Sequence, residues 1–479
     1  MQNAITNTTD TIAAIATPPG IGGIGVIRVS GANAFALVLP LIQRTQGQEE
    51  VPPSHQLTYA RVLDPLTQEI LDDVLVAFMR APHTYTREDV VEIQGHGGPL
   101  VLRRILTAVL TQGARMAQPG EFTLRAFLNG RIDLAQAEAV MDLIGAQTEA
   151  GQRLAIQQLR GRLSEQLQVA RHAILNVIAQ IEVSIDFPEE DVPTPQATAL
   201  HTLVEVAQRQ IEQLLMGAEQ GRLYKQGLRT AIIGRPNVGK SSLLNALLRT
   251  ERAIVTPVAG TTRDTVEEVA NLRGIPLHLI DTAGITPTDD PIEQIGVQRS
   301  RAAAEGADVV VLVFDGSEAL TEQDRNVCAE VQAMGFGATH TMSSSRKRPV
   351  VVVVNKADAP QSIDVGELQR LWPMSPFVHT STRTGSGLPA LEDAIAELVL
   401  AGKTVSSDSV LVTSARHQEA LQRAADHLRA SQGSLERELP LDFVSIDLRA
   451  AYEALGEVTG EAASDDLLDT IFHEFCIGK

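Results

Sequence analysis

Between Leu228 and Leu248 the chain passes from a β-type run, through Gly234-Arg-Pro-Asn-Val-Gly-Lys240-Ser241, into the helix-patterned Ser242-Leu-Leu-Asn-Ala-Leu-Leu248. A strand, a glycine-rich loop and a helix in immediate succession constrain the fold more than any other segment. The glycines let the backbone curl with its N–H groups inward, and the helix N-terminus adds partial positive charge, so the unit is suited to hold phosphates. Its setting agrees. Val/Ile/Leu-rich runs at residues 228–233, 277–281, 309–315, 350–354 and 377–380 predict parallel strands buried on both faces, with amphipathic helices between them. Together they predict a doubly wound α/β domain of the Ras-like P-loop type.

Three further segments follow in the order and spacing of a guanine-nucleotide site: Gly260-Thr261-Thr262, Asp281-Thr282-Ala283-Gly284 and Asn355-Lys356-Ala357-Asp358. Lys240 is expected to reach the β- and γ-phosphates, and Ser241 to ligate Mg²⁺ with Thr262 as its second ligand. Asp281 would hold the ion through water, and the Gly284 N–H would meet the γ-phosphate. An ionised Asp358 accepts from guanine N1–H and the N2 amine. Adenine offers neither, and a buried acceptor without a donor costs roughly 1–3 kcal/mol. Ser381, Thr382 and Arg383 are expected to buttress the base. The full expected contact set is Asn237, Val238, Gly239, Lys240, Ser241 and Ser242; Thr256, Pro257, Val258, Ala259, Gly260, Thr261 and Thr262; Asp281, Thr282, Ala283 and Gly284; Asn355, Lys356, Ala357 and Asp358; and Ser381, Thr382 and Arg383.

A length of 479 residues implies more than one core. Aromatics are 3% of the chain, with a single Trp372, so the cores must be built from Ala, Leu, Val and Ile. The net charge of −19 argues against a long cationic groove for nucleic acid, though not against a local basic patch. Two cysteines, Cys328 and Cys476, give no disulfide framework, which suits a reducing compartment. The polar first ten residues do not read as a signal peptide and no apolar run reaches membrane-spanning length, so a cytoplasmic protein without a membrane partner is expected.

Four regions differ in pattern. Residues 1–130 mix β-type runs at 26–29, 74–78 and 90–93 with a helical stretch near 100–110 and read as an α+β domain. Residues 131–226 are helical, with a continuous pattern over 134–185, a proline-bounded acidic loop at 187–193 and a second helix over 198–223. The α/β region covers 227–400, interrupted by a Ser-rich, then basic loop at 341–349. Helical periodicity returns over 401–479. Helices on both sides of a self-sufficient α/β unit predict that it is inserted into one all-α helical domain whose two parts pack together, although two independent helical domains would give the same pattern.

Ile285 stands where a Ras-type enzyme has its water-orienting Gln, so another group must orient water. Glu293 could do so through a bridging water, or be a solvated charge on a helix. No arginine identifies itself as a finger. The Asn237 oxygen, with oxygens of the 256–261 loop, could cage a monovalent cation against the phosphates, or simply tie the phosphate loop to its neighbour.

The runs Gly234–Leu248 and Ile254-Val-Thr-Pro-Val-Ala-Gly-Thr-Thr-Arg-Asp264 and the ending Cys476-Ile-Gly-Lys479 resemble the MnmE/TrmE family of tRNA-modification GTPases. So do Ala16-Thr-Pro-Pro-Gly20, Gln94-Gly-His-Gly-Gly98, Pro119-Gly-Glu-Phe-Thr-Leu-Arg-Ala-Phe127 and Asp133-Leu-Ala-Gln-Ala-Glu138, so the resemblance spans nearly the whole chain. It implies potassium-stimulated GTP hydrolysis through G-domain dimerisation, with Asn237, Thr256, Val258 and Thr261 as potassium ligands and Glu293 as the catalytic acidic residue. It also implies an N-terminal domain that binds 5-formyl- or 5,10-methylene-tetrahydrofolate through Arg28, Glu92, Arg131 and Lys479. Arg131 departs from a lysine seen in some members but keeps the charge. An FAD-containing partner, MnmG/GidA, a homodimer and a tRNA substrate complete the implication: a carboxymethylaminomethyl or aminomethyl group at C5 of the wobble uridine.

Two motifs are set aside. Gly20-Ile-Gly22-Gly-Ile-Gly25 satisfies the dinucleotide fingerprint, but the strand-like 26–29 follows where a helix should open. Cys476 lies four residues from the end, but Gly478 and Lys479 do not fit a prenylation box. The family ending implies that Cys476 and Lys479 lie near the modification centre, with a chemical role for the thiol left open. Cys328 reads as a structural residue. Two alternatives stay open: an Era-like ribosome-assembly GTPase without folate chemistry, and a folate-dependent aminomethyltransferase with a regulatory G domain.

Overall fold

Alternation of apolar and polar residues gives the N-terminal region a sheet with one buried face. The computed structural model describes residues 10–44, 51–186, 197–250, 268–281, 306–337, 348–400 and 411–479. The first sheet contains β1 (Ile12–Ile15), β2 (Ile24–Ser30), β3 (Ile42–Arg44), β4 (Leu57–Leu63), β5 (Ile70–Met79), β6 (Val90–His96) and β7 (Arg115–Met116), in the order β3-β4-β5-β6-β2-β1-β7. The pairs are antiparallel except β1–β7. The sequence indicates only β2, β5 and β6. Strands β1, β3 and β7 are too short for their periodicity to register, and β4 buries only Ala60 and Val62, too few apolar residues to stand out.

Helix α1 (Ala34–Val38) and helix α2 (Pro99–Thr111) belong to the core beneath this sheet. Leu102, Ile105 and Val109 of α2 join Ile27, Val29, Val76, Phe78, Val91 and Ile93 in one buried cluster. Burying each such side chain is worth roughly 1.5–3 kcal/mol. The last glycine of the apparent dinucleotide fingerprint has a packing reason. A Cβ on Gly25 would stand 2.4 Å from Leu102 Cδ1, so a side chain there would drive Leu102 of α2 out of its place against β2. Helix α3 (Glu121–Leu128) is held by an ionic network that the sequence does not announce. Its Arg125, 2% exposed, reaches Asp10 at 2.6 Å and Glu88 at 3.2 Å.

The continuous helical pattern over 134–185 is three helices: α4 (Leu134–Gly145), α5 (Glu149–Leu159) and α6 (Arg162–Asp186). The breaks follow from local chemistry. Asp133 forms a capping box with Gln136, the Thr148 hydroxyl caps the Gly151 N–H, and Gly161 adopts a left-handed φ of 82°. Helix α7 (Ala197–Gln226) pairs with α6. After the α/β region come α12 (Ala415–Glu436), α13 (Leu441–Thr459) and α14 (Asp465–His473). Leu167, Ile174 and Ile181 of α6 and Leu200 and Ile211 of α7 share one buried cluster with Leu421 and Leu428 of α12 and Leu448 and Leu455 of α13. Segments on the two sides of the α/β unit thus build a single core.

The second sheet contains β8 (Leu228–Ile233), β9 (Glu268–Leu272), β10 (Ile275–Asp281), β11 (Val309–Asp315), β12 (Val350–Asn355) and β13 (Phe377–His379), in the order β13-β12-β11-β8-β10-β9. All pairs are parallel except the β9–β10 hairpin. Strand β9 is not indicated by the sequence, and β13 stops one residue short of the expected 380. Its helices are α8 (Lys240–Thr250), α9 (Glu322–Ala333), α10 (Val365–Leu371) and α11 (Leu388–Leu400). Ile232, Val311 and Val353 lie in one buried cluster, and Ala231, Val310, Val352 and Trp372 in another, which explains the unbroken Val/Ile strands. Strand β8 lies between β10 and β11, so its carboxyl end is a topological switch point. The Thr148 hydroxyl donates to the Gly274 carbonyl of the β9–β10 turn at 2.7 Å, joining the helical region to this sheet. No helix among the described residues is long and apolar enough to cross a membrane.

Candidate functional site

At the carboxyl end of β8 the chain enters the phosphate loop, and each glycine there has a spatial reason. A Cβ on Gly234 would stand 2.4 Å from the Val313 carbonyl of β11. Gly239 has a left-handed φ of 101°, and its Cβ would stand 2.2 Å from Asn355 Nδ2. Asn237 also adopts a left-handed φ, of 66°, a region that Asn enters more readily than most residues. Buried Val238 offers its carbonyl to Asn355 Nδ2 at 2.9 Å, so the first and fourth sequence segments are tied by a direct bond. Lys240, 8% exposed, donates to the Gly234 and Arg235 carbonyls at 2.8 and 2.9 Å. Ser241 and Ser242 follow at the exposed head of α8. Asp281 ends β10, in register with Ile232 of β8.

The base-reading loop lies at the ends of β12 and β13. Asn355 is buried and accepts from the Thr380 hydroxyl at 3.3 Å, while the Ala357 N–H donates to the Thr380 carbonyl at 2.9 Å. The Ser381 hydroxyl donates to Asp358 Oδ1 at 2.6 Å, and Arg383 stands 3.1 Å from Asp358 Oδ2. The Ser381 bond and, more weakly, Arg383 hold the Asp358 carboxyl below its ordinary range, so it is an ionised acceptor at neutral pH. Thr382, between Ser381 and Arg383, is half-buried. Expected site residues Thr256, Pro257, Val258, Ala259, Gly260, Thr261, Thr262, Thr282, Ala283, Gly284 and Glu293 lie outside the described residues, as does Ile285. Two participants were not foreseen. Thr380 fixes Asn355, and Asp315, ending β11, meets the Lys356 ammonium at 2.5 Å.

A second cluster forms where the C-terminus meets the first sheet. Arg28 of β2 and Glu92 of β6 are register partners, and Arg28 Nε and Nη2 donate to Glu92 Oε1 at 2.9 and 2.8 Å. The two expected ligand contacts therefore bind each other. The Arg28 guanidinium lies 5.6 Å from the Tyr85 ring centre, and the Arg131 guanidinium lies 5.0 Å from the same centre. Arg131 also donates to the Thr84 carbonyl at 2.7 Å. The chain end closes this cluster. Ile477 bridges Pro119 antiparallel, the Phe122 N–H donates to the Lys479 carbonyl at 3.1 Å, and Arg28 Nη1 donates to the Gly478 carbonyl at 3.5 Å. Gly478, with a left-handed φ of 93°, has its absent Cβ 2.4 Å from the Ile15 carbonyl. Cys476 is exposed at this end, whereas Cys328 is buried on α9, where burial lifts its thiol to about 11. Sequence proximity could not indicate Tyr85 or the Arg28–Glu92 bond.

Comparison with known proteins covers the chain nearly from end to end. Residues 11–131 match the family model described as GTP-binding protein TrmE N-terminus, and residues 134–476 match that of the MnmE helical domain. A tRNA modification GTPase MnmE from Enterococcus faecalis is 46% identical over 480 residues, covering 100% of both chains. One from Lactiplantibacillus plantarum is 48% identical over 478 residues, covering 98% of each, and one from Alkaliphilus oremlandii is 45% identical over 471 residues, covering 98% of this chain and 99% of that one. With its phosphate loop, its base-reading loop and this end-to-end likeness, the chain is a P-loop GTPase and belongs to the MnmE/TrmE family.

Proposed function

We propose that this GTPase, with an FAD-containing partner of the MnmG/GidA type, modifies the wobble uridine of certain tRNAs. The group installed at C5 is carboxymethylaminomethyl or aminomethyl, with its one-carbon unit drawn from tetrahydrofolate. The observation that carries the reading is the Asn355–Val238 bond, which assembles phosphate and base loops into one guanine site in a chain nearly half identical to tRNA modification GTPases throughout. The working division is a folate-binding domain over 1–130, a helical domain over 131–226 and 401–479, and the GTPase domain over 227–400.

On GTP binding, Lys240 exchanges its two carbonyl partners for phosphate oxygens, a charge-assisted and stronger pairing. Ser241 and Thr262 would hold Mg²⁺, which neutralises phosphate charge. Asn237, Thr256, Val258 and Thr261 would hold potassium, which supplies the positive charge that an arginine finger gives elsewhere. The left-handed turn at Asn237, directly ahead of Val238 and Gly239, fits that use. Glu293 orients water. Hydrolysis opens and closes paired G domains in a homodimer.

In the N-terminal cluster Arg28, Glu92, Arg131 and Lys479 would hold the folate. Arg28 orients Glu92 to accept from a pterin's amino group and ring N–H, with the Tyr85 ring centre 5.6 and 5.0 Å from the Arg28 and Arg131 guanidinium groups. The exposed Cys476 stands beside it on the docked C-terminal segment. The acidic chain leaves most of the tRNA grip to the flavoprotein. Nucleoside analysis of tRNA from a strain lacking the gene, with and without this chain supplied, tests the reading. Restored modified uridine supports it; unmodified wobble uridine in both contradicts it.

A further inference from the structure

Lys356 adopts a left-handed φ of 60°, a conformation that side-chain-bearing residues rarely take, so something must hold it there. The holding group is at the end of the neighbouring strand. Asp315 is the register partner of Asn355, and its side chain is 2% exposed. Its Oδ2 receives the Lys356 ammonium at 2.5 Å, while Oδ1 receives the Ser317 N–H at 3.0 Å and the Ser317 hydroxyl at 2.6 Å. Burial pushes the Asp315 carboxyl up, but Lys356 and the Ser317 donors outweigh it and leave the group below the ordinary carboxylate range.

The backbone reinforces the same contact. The Gly316 N–H donates to the Asn355 carbonyl at 2.9 Å, and the Gly316 carbonyl accepts from Ser362 N–H at 2.8 Å. Gln361 Nε2 donates to the Lys356 and Ala359 carbonyls at 3.0 and 2.8 Å. A Cβ at 316 would stand 2.9 Å from the Asn355 backbone carbonyl, so a side chain there would push the two strand ends apart. The 315–317 segment is therefore the floor of the base-reading loop. Asp358, two residues beyond Lys356, is held from the other side by Ser381 and Arg383, so its position depends on pins from both neighbouring strands. Lys356 stays 40% exposed, with its charged end tethered and its methylene stem open.

We propose that Asp315 is a positioning residue for guanine recognition: by tethering the Lys356 ammonium it lays the lysine stem as a wall for the base and sets Asp358 opposite the base edge. This rests on the guanine-site reading above. The test uses the full-length chain and its Asp315→Asn variant, with GTP and with inosine triphosphate, which lacks the N2 amine. The KM for GTP is expected to rise about tenfold, the weight of one hydrogen bond to a charged group, with kcat within about twofold. The KM for inosine triphosphate rises less, so the preference for guanine narrows. Ser317→Ala removes one donor to the same carboxylate and gives a smaller KM rise, which carries the test should Asp315→Asn not fold. A KM unchanged within about twofold in both variants, or a fall in kcat at constant KM, overturns the proposal. A parent chain with no preference for GTP over ATP would instead overturn the guanine-site reading.

Discussion

Gly239 stands so close to Asn355 that any Cβ at 239 would lie 2.2 Å from the amide nitrogen that binds the Val238 carbonyl. The phosphate loop and the base loop are thus in contact through the one position where a side chain has been omitted. Binding at one is mechanically tied to the geometry of the other.

Gly239→Ala is therefore expected to damage both loops. The left-handed φ of 101° alone costs about 1–3 kcal/mol for alanine, before displacement of Asn355. GTP affinity should fall by more than about tenfold, with a lowered urea midpoint. Titration of a fluorescent guanine nucleotide alongside urea unfolding measures both; parental values for either would show that the approach is not strict.

The two halves of the helical core are joined by charge as well as by packing. Glu138 of α4 meets buried His417 of α12 at 2.5 Å and Arg416 at 3.0 Å. Burial pushes the Glu138 carboxyl up, but His417 and Arg416 pull it down to about 2 from 4.5. A carboxyl lowered in the folded state stabilises fully above its unfolded value and loses that contribution as pH falls towards the folded one. Between pH 4.5 and about 2 the chain should lose on the order of 3 kcal/mol through this group. Glu138→Gln should flatten that part of the stability–pH curve and destabilise the chain at neutral pH. Acid unfolding followed by circular dichroism checks it; parallel curves for parent and variant would deny Glu138 this part.

In the N-terminal cluster, Glu92→Ala removes the partner of Arg28 and the proposed acceptor for the pterin. Calorimetric titration of 5-formyl-tetrahydrofolate should show affinity weakened by at least about tenfold, as for a lost charged hydrogen-bond pair. Glu92→Gln, which keeps one acceptor oxygen, should lose less. Equal affinity in parent and Glu92→Ala would take Glu92 out of the ligand site.

The nucleotide site was legible because its chemistry tolerates few substitutes. Gly234 and Gly239 are fixed by backbone approach, and Asn355 and Asp358 by what their side chains must bond, so short segments announce themselves. The Arg28–Glu92 pair was reachable only through family resemblance. These residues are 64 positions apart and meet because β2 and β6 are register partners, which no local pattern states. The C-terminal docking at Pro119–Ile477 is of the same kind. Other misses were local and carried signals. Thr148 and Gly161 mark helix ends inside an otherwise periodic run, and Asp315 is an acid closing a strand of Val, Leu and Phe. Periodicity over a long window masks the first two, and an acid at the end of a strand belongs to no short nucleotide motif.

We propose a guanine site completed by an alkali ion held at Asn237. GTP hydrolysis by the full-length chain in potassium and in sodium, with Asn237→Gly beside the parent, tests it most directly. Glycine accepts the left-handed φ of 66° at 237, so this variant removes the side-chain oxygen without straining the loop. The parent is predicted to hydrolyse GTP at least about tenfold faster in potassium, a margin of 1.4 kcal/mol in barrier, and the variant to lose that difference while still binding GTP. Equal rates of the parent in the two salts, or equal stimulation of parent and variant, would contradict the account.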